Sequence, residues 1–345
     1  MTGRSAAIQG GLAALGLLAA HLTWQREPER APGEVVVIDG SKADVPRIRY
    51  EDDDNILGLE RRTENGETVA WVHVEPKPVK VAADKPGDPP PPPKPPSAPP
   101  RDLRGNADAL KLADKFAPLV SPRAFGVVQG DKLKELGLDT PTRHLEVVVR
   151  GDTRKYDVGI ALHAQNGEAF LRDVRDGRVY LMPRMMLGEL TNSKRLLDPR
   201  LHTFETKEFD KITLSMNGKR KEWVHLGREN FATDAYASPK TPDKHDDMAK
   251  NWVDSLWRQF PMEVLGKGEE PKGGPPKIAF RLDYTEKGKP VGWVEIARAE
   301  TDSESKSSGE SVDNVYARTE HSVGWSRLHS GDLLITDAEK LVNAP

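Results

Sequence analysis

Apolar and polar residues alternate through two stretches of the chain, and each stretch contains an Asn-Gly pair. The pattern Asn-Gly-x-x-x-x-Trp-Val-His occurs once in each half, as Asn65-Gly66…Trp71-Val72-His73 and as Asn217-Gly218…Trp223-Val224-His225. Asn-Gly between alternating strands is typical of a type I′ hairpin, because both residues tolerate positive φ. The repeated pattern predicts two hairpins derived from an internal duplication.

Each hairpin is followed by a segment whose apolar residues recur at helical spacing and then by further alternating stretches. Leu110, Ala113 and Phe116 mark the first such helix, and Asp246–Phe260 contains the second. A hairpin is marginal alone, so a helix must cover the apolar face of each sheet. We therefore predict an α+β fold of two tandem repeated units, each an antiparallel sheet or meander with one covering helix. The units are predicted at residues 45–200 and 201–345.

Two segments outside this pattern are rich in proline or polar residues. Residues 26–44 are predicted to be a tether that precedes the first unit. Between Pro86 and Pro100, ten of fifteen residues are proline, which predicts a polyproline II insert at residues 84–103 within the first unit. The insert is interpreted as a stiff spacer or, alternatively, as a ligand for an aromatic groove on a partner.

The long apolar run lies at Ala6–Trp24. Nineteen residues at about 1.5 Å each cover roughly 28 Å, which is close to the hydrocarbon thickness of a bilayer. We predict a transmembrane anchor helix at residues 1–25, with small residues four apart that favour close helix approach and an interfacial tryptophan. The predicted anchor residues are Gly10, Gly11, Ala14, Gly16, Ala20 and Trp24. A cleaved signal peptide and a buried helix are the alternatives, because Gln9 and His21 are polar.

Composition and motifs narrow the classes of function. The formal net charge is −3 and cysteine is absent, which argues against a nucleic-acid partner and excludes thiolate chemistry. The sequence has no P-loop, no His-Glu-x-x-His and no Gly-x-Ser-x-Gly. The acidic cluster His245-Asp246-Asp247 precedes the second predicted helix and is interpreted as a cap rather than a cation site. We therefore predict no enzyme, no cofactor and no metal.

The two Trp-Val-His copies supply the candidate binding residues. On a strand, Trp71 and His73 share a face, as do Trp223 and His225. They are interpreted as a twin aromatic face for a partner or ligand. The alternative is that each Trp-His pair packs structurally on a half-buried sheet and was retained through duplication.

Several motifs between the two hairpins follow a known pattern. They are Leu133, Glu135-Leu136-Gly137-Leu138-Asp139-Thr140-Pro141, Val158-Gly159, Phe170-Leu171-Arg172 and Val179-Tyr180-Leu181, with Asn106-Ala107-Asp108 at the start of the first helix. This pattern resembles domain-of-unknown-function family 4340, a bacterial family, and the resemblance covers roughly Val45–Val342. Leu136 departs from the tyrosine usual in that family, and the proline tract is an insertion.

The resemblance implies a single-pass envelope protein of the kind encoded beside ABC transport components similar to those of gliding-motility systems, with no assigned active site. The expected function is a non-catalytic accessory subunit of such a complex. Its soluble body would lie in the periplasm, and its partners would be membrane subunits of the transport system and other periplasmic proteins. The alternative is a periplasmic ligand- or glycan-binding protein with a site between the two repeats.

Overall fold

The computed structural model describes residues 16–17, 33–64, 66–78, 94–96, 98–161, 168–230, 233–271, 273–300, 314–329 and 331–344. Within these ranges, no helix combines the length and the apolar character needed to span a bilayer. Of the predicted anchor residues, only Gly16 is described. Gly10, Gly11, Ala14, Ala20 and Trp24 lie outside the described residues, as does most of the proline tract.

The described chain is mostly antiparallel β-sheet with a few helices, so the α+β prediction holds. The elements before residue 200 are β1 Val35–Ile38, β2 Arg47–Glu51, β3 Asn55–Glu64, β4 Glu67–Pro76, β5 Arg101–Arg104, α1 Ala107–Asp114, β6 Leu119–Ser121, β7 Ala124–Val127, α2 Asp131–Glu135, β8 Arg143–Val149, β9 Asp152–Ile160, β10 Ala169–Asp173, β11 Arg178–Met182, α3 Arg184–Thr191 and α4 Ser193–Leu196. Those after it are β12 Lys211–Met216, β13 Lys219–Leu226, β14 Ala235–Ala237, α5 Asp247–Trp257, β15 Pro261–Val264, β16 Lys277–Glu286, β17 Lys289–Arg298, β18 Val315–Thr319, β19 Ser326–Leu328 and α6 Gly331–Asn343.

Two large sheets share one connectivity, except that β5 extends the first meander of sheet 1 by one strand. Sheet 1 has the order β5-β4-β3-β2-β8-β9-β10-β11-β7, and sheet 2 has the order β14-β13-β12-β16-β17-β18-β19-β15. In each sheet a first meander runs outward from the centre to one edge. The chain then passes through a helix to a strand at the opposite edge and returns to the centre. Four antiparallel strands fill the sheet from the centre out to that edge strand. Strands β1 and β6 form a small third sheet.

Each large sheet has its own hydrophobic core. The first core extends from Ile38 to Leu196 and the second from Leu201 to Val342, and we refer to the two parts as the first and second units. Asn106 caps α1 by accepting hydrogen bonds from two backbone N–H groups, and Asp246 caps α5 through the N–H of Ala249. The capping interpretation of the acidic cluster at 245–247 is therefore correct for Asp246.

Two sequence predictions need correction. The tether predicted at residues 26–44 contains β1, because Val35–Ile38 is a run of β-branched residues that pairs with β6. The second sheet is covered by two helices rather than one: α6 contacts β12, β13, β16 and β18, and it packs against α5. Gly331 in the first turn of α6 lies against Val315, where an added Cβ would be 2.4 Å from Cγ1 of the valine.

The common connectivity also corrects the alignment of the two hairpins. At the centre of each sheet β2 pairs with β8, as β12 pairs with β16, so β13 corresponds to β3 and not to β4. Following the cross-strand pairs outward places Trp223 at the position of Leu59 in sheet 1. The hairpin that carries Trp71 is therefore one strand farther from the centre than the hairpin that carries Trp223.

Candidate functional site

Trp71 and His73 lie on the outer face of sheet 1, away from the core. Cross-strand pairing forms two rows there, Arg47–Glu60–Trp71–Arg104 and Arg49–Gly58–His73–Asp102. Between the rows is an open groove of about 400 Å³. We call it the sheet-1 groove.

The outward position of Trp71 follows from tight packing on the opposite face of β4. Ala70 and Val72 are buried against α1, and Gly105 approaches them closely. An added Cβ on Gly105 would lie 2.8 Å from Cβ of Ala70 and 2.9 Å from Cβ of Ala109. An indole cannot fit this face, so the strand adopts the register that places Trp71 outside.

Charged groups hold the Trp71 side chain in place. Its Nε1–H donates to Oε1 of Glu64 at 2.7 Å, and the guanidinium of Arg62 lies 4.4 Å from the ring centroid. Arg104 donates to the other oxygen of Glu64 at 2.6 Å. Burial raises the pKa of Glu64, but the hydrogen bonds from Trp71 and Arg104 outweigh it and bring the pKa below its usual value.

His73 is the polar centre of the groove. Its Nδ1 is 3.0 Å from Oδ1 of Asp102, and its Nε2 is 3.5 Å from Oε2 of Glu75. Gly58 faces it on the neighbouring strand, where an added Cβ would be 3.0 Å from Cβ of His73. The missing side chain keeps the floor open. Arg47 at the margin has no ion pair within the part of the chain that the structure describes.

Trp223 and His225 lie in the core of the second unit. Trp223 is fully buried and donates from Nε1 to Asp246 at 2.8 Å. Nε2 of His225 is 2.6 Å from Asp234, and its ring stacks on Tyr236 at 4.5 Å. The predicted twin face is therefore not formed. Trp71 and His73 are accessible on the sheet face, whereas Trp223 and His225 are buried and contribute to core packing.

A second cavity, of about 470 Å³, lies between the two units. We call it the inter-unit cavity. Arg101 of β5 bridges the units at its wall, donating to both oxygens of Glu269 at 2.7 and 2.6 Å and to Glu263 at 3.1 Å. Burial raises the pKa of Glu269, but the contacts with Arg101 and the N–H of Gly266 bring it below its usual value.

A third cavity, of about 530 Å³, opens beside an aromatic cluster of the second unit. The buried His202 ring lines it, with its centroid 4.8 Å from that of Phe204 and 4.9 Å from that of Trp257. Nδ1 of His202 lies 3.2 Å from Glu320. This arrangement places one oriented imidazole beside aromatic rings in a wall that also contains Arg200, Glu205 and Gln259.

The outer faces also carry two equivalent charged ladders that the sequence analysis missed. Asp157 joins His144 and Arg172 across β8, β9 and β10, and Glu295 joins Arg281 and Arg318 across β16, β17 and β18. Both carboxylates are buried. The signal in the sequence is an acidic residue within an apolar strand, followed by a strand of the form aromatic-apolar-Arg: Phe170-Leu171-Arg172 and Tyr316-Ala317-Arg318.

Comparison with known proteins gives no relative. No family model, no curated protein and no solved structure matches the chain. Among the described residues, no group of three or more His, Cys, Asp or Glu side chains is placed to hold a metal ion.

Proposed function

We propose that the chain is a non-catalytic binding protein that contacts a partner through the sheet-1 groove. The observation that carries the proposal is a half-buried tryptophan beside a histidine–carboxylate pair on an open sheet face, over a floor that Gly58 leaves clear. Tryptophan and arginine dominate the energetics of protein interfaces, because they combine large apolar area with hydrogen-bonding capacity. The groove offers both, with Arg47 available for an acidic group on the partner.

The wider setting is also a proposal. The chain acts as an accessory subunit of an ABC-type transport or motility-associated complex, with residues 1–25 in the cytoplasmic membrane and the body in the periplasm. Its partners are membrane subunits and other periplasmic proteins. The apolar run at the start of the sequence and the family resemblance support this setting. The common connectivity of the two sheets and their matching ladders support an origin by duplication.

Co-purification of the tagged full-length chain tests both parts. The wild type, a form lacking residues 1–25 and the Trp71→Ala variant are compared in detergent extracts of the native host. Trp293→Ala is the matched control, because Trp293 also lies on an outer sheet face under an arginine, with Arg281 at 4.6 Å.

We expect membrane subunits with the full-length chain, their loss without residues 1–25, and selective loss of the periplasmic partner with Trp71→Ala. Recovery of the same proteins with Trp71→Ala and Trp293→Ala would contradict the proposal that the partner binds at the sheet-1 groove. Failure to recover any membrane subunit with the full-length chain would contradict the membrane setting.

A ligand-binding protein with its site between the units is the second candidate. The specific observation in its favour is the inter-unit cavity, which both units line and whose volume lies within the range of small-molecule sites.

A further inference from the structure

Three side chains that line the inter-unit cavity carry hydrogen-bond donors with no acceptor among the described residues. The guanidinium of Arg327, in β19, donates no hydrogen bond to any described residue: its Nε is buried, and the nearest carboxylate oxygen, on Glu263, is 3.7 Å away, within ion-pair range but beyond hydrogen-bond distance. Ser193 and Lys194 of α4 line the same cavity from the first unit, and their side chains likewise have no partner in the described ranges. Of these groups only Nε of Arg327 is buried, and it bears the free-energy cost of a donor without a partner; the half-buried Ser193 and the exposed Lys194 offer further donors to an acceptor-rich ligand.

The charges around the cavity leave one positive charge uncompensated. Arg101 and Arg327 face Glu263 and Glu269, which balances two cations with two carboxylates. Lys194 adds a third cation.

Asp198 does not offset that charge, because it is already paired. It accepts hydrogen bonds from Arg200 at 3.0 and 2.7 Å and lies 3.2 Å from His321. Burial raises the pKa of Asp198, but these contacts hold it well below its usual range. The cavity therefore favours an anion.

The remaining wall is apolar. Val74 and Leu103 of the first unit face Pro261, Met262 and Val264 of the second. An anionic group at the Arg327 side would thus sit beside a surface that suits an aliphatic side group, and burial of that group contributes about 25 cal/mol per Å². A guanidinium with free N–H groups matches the two oxygens of a carboxylate.

We propose that the inter-unit cavity binds a small organic carboxylate with an aliphatic side group, held by Arg327 from the second unit and Lys194 from the first. The proposal deepens the second candidate function and rests on it. It is independent of the sheet-1 groove, because Trp71 and His73 do not line this cavity.

Calorimetric titration of the full chain tests it with four probes: N-acetyl-leucine, its uncharged amide, inorganic phosphate and the neutral sugar diacetylchitobiose. We expect N-acetyl-leucine to bind and the amide to bind about tenfold more weakly or worse, because a hydrogen bond to a charged group is replaced. Arg327→Gln and Lys194→Gln are each expected to weaken binding of the acid by about tenfold. Lys289→Gln, at an exposed hairpin tip that does not line the cavity, is the matched control and should leave binding unchanged.

Equal affinity for the acid and the amide, or unchanged affinity in both cavity variants, would overturn the proposal. Binding of phosphate as tight as that of the acid would overturn the carboxylate class. Binding of the sugar alone would overturn the proposal while leaving the second candidate function intact. Thermal unfolding of each variant checks folding, and the exposed Lys194 provides a readout even if Arg327→Gln does not fold.

Discussion

The two copies of Asn-Gly-x-x-x-x-Trp-Val-His have the same residues and opposite environments. In β4 the tryptophan faces outward over a groove, while in β13 it is fully buried beside the cap of α5. The difference comes from the neighbours of each tryptophan along its strand. Ala70 and Val72 in β4 face the core and meet α1 at close range, whereas Val224 in β13 faces outward. A strand with apolar residues on both faces takes the register that its covering helix permits, so identical motifs need not be equivalent.

We expect the largest difference in unfolding free energy between variants that remove one tryptophan or the other. Trp223→Ala should lower the free energy of unfolding by about 3–5 kcal/mol, because it empties a buried site. Trp71→Ala should cost about 1 kcal/mol, mainly the stacking of Arg62. Urea titration followed by circular dichroism measures both. Equal losses would show that the two side chains are buried alike.

The histidines offer the same contrast on a smaller scale. His225→Ala should cost about 1–3 kcal/mol, because it removes a buried ring and leaves Oδ1 of Asp234 without its hydrogen bond, while Lys250 still contacts Oδ2 at 2.9 Å. His73→Ala should change stability by no more than about 0.5 kcal/mol, as expected for an exposed position. The same urea titration applies, and a large loss for His73→Ala would contradict its groove position.

Gly58→Ala tests whether the partner reaches the floor of the sheet-1 groove. The new Cβ would be 3.0 Å from Cβ of His73, a contact that rotation of the imidazole cannot relieve, so β3 and β4 must separate by a few tenths of an ångström. We expect a stability change of about 1 kcal/mol or less and a several-fold loss of partner recovery in the co-purification assay. Unchanged recovery would show that the partner does not reach the floor.

The smallest expected effect is on the stability of the protein at acidic pH. The pKa of Glu64 is lowered in the folded chain, so its contribution to stability is present above the unfolded value of about 4.3 and is lost as pH falls through the lower folded value. Glu64→Gln should therefore lower the unfolding free energy above about pH 4.3 and make its fall below that pH shallower, without changing its slope on the alkaline side. An acid limb unaltered by Glu64→Gln would show that folding does not favour the ionised form of Glu64.

Part of this structure was predictable from the sequence. Alternation and helical spacing indicate the α+β class, and Asn217 and Gly218 adopt positive φ of 51° and 73°, as the hairpin prediction requires. The hairpins β8–β9 and β16–β17 use Arg150-Gly151 and Lys287-Gly288, also at positive φ. These basic-Gly pairs occupy equivalent positions, and they mark the correspondence of the two units better than the tryptophan motif does.

What remained unpredictable depends on contacts between distant segments. The face that β4 presents is set by Gly105 and Ala109, more than thirty residues downstream. The inter-unit cavity requires Arg101, Lys194 and Arg327 to meet, and no local pattern relates them. The helix α6 was overlooked although Leu334, Ala338 and Leu341 recur at helical spacing; that spacing indicates a helix but not that it covers sheet 2.

Hydroxyl-radical footprinting with peptide-resolved mass spectrometry tests the central contrast most directly, since it reads the solvent exposure of each tryptophan in the native chain. We expect Trp71 to be oxidised under native conditions and protected when the partner binds, while Trp223 should react only after unfolding. Equal native oxidation of Trp71 and Trp223 would contradict this expectation.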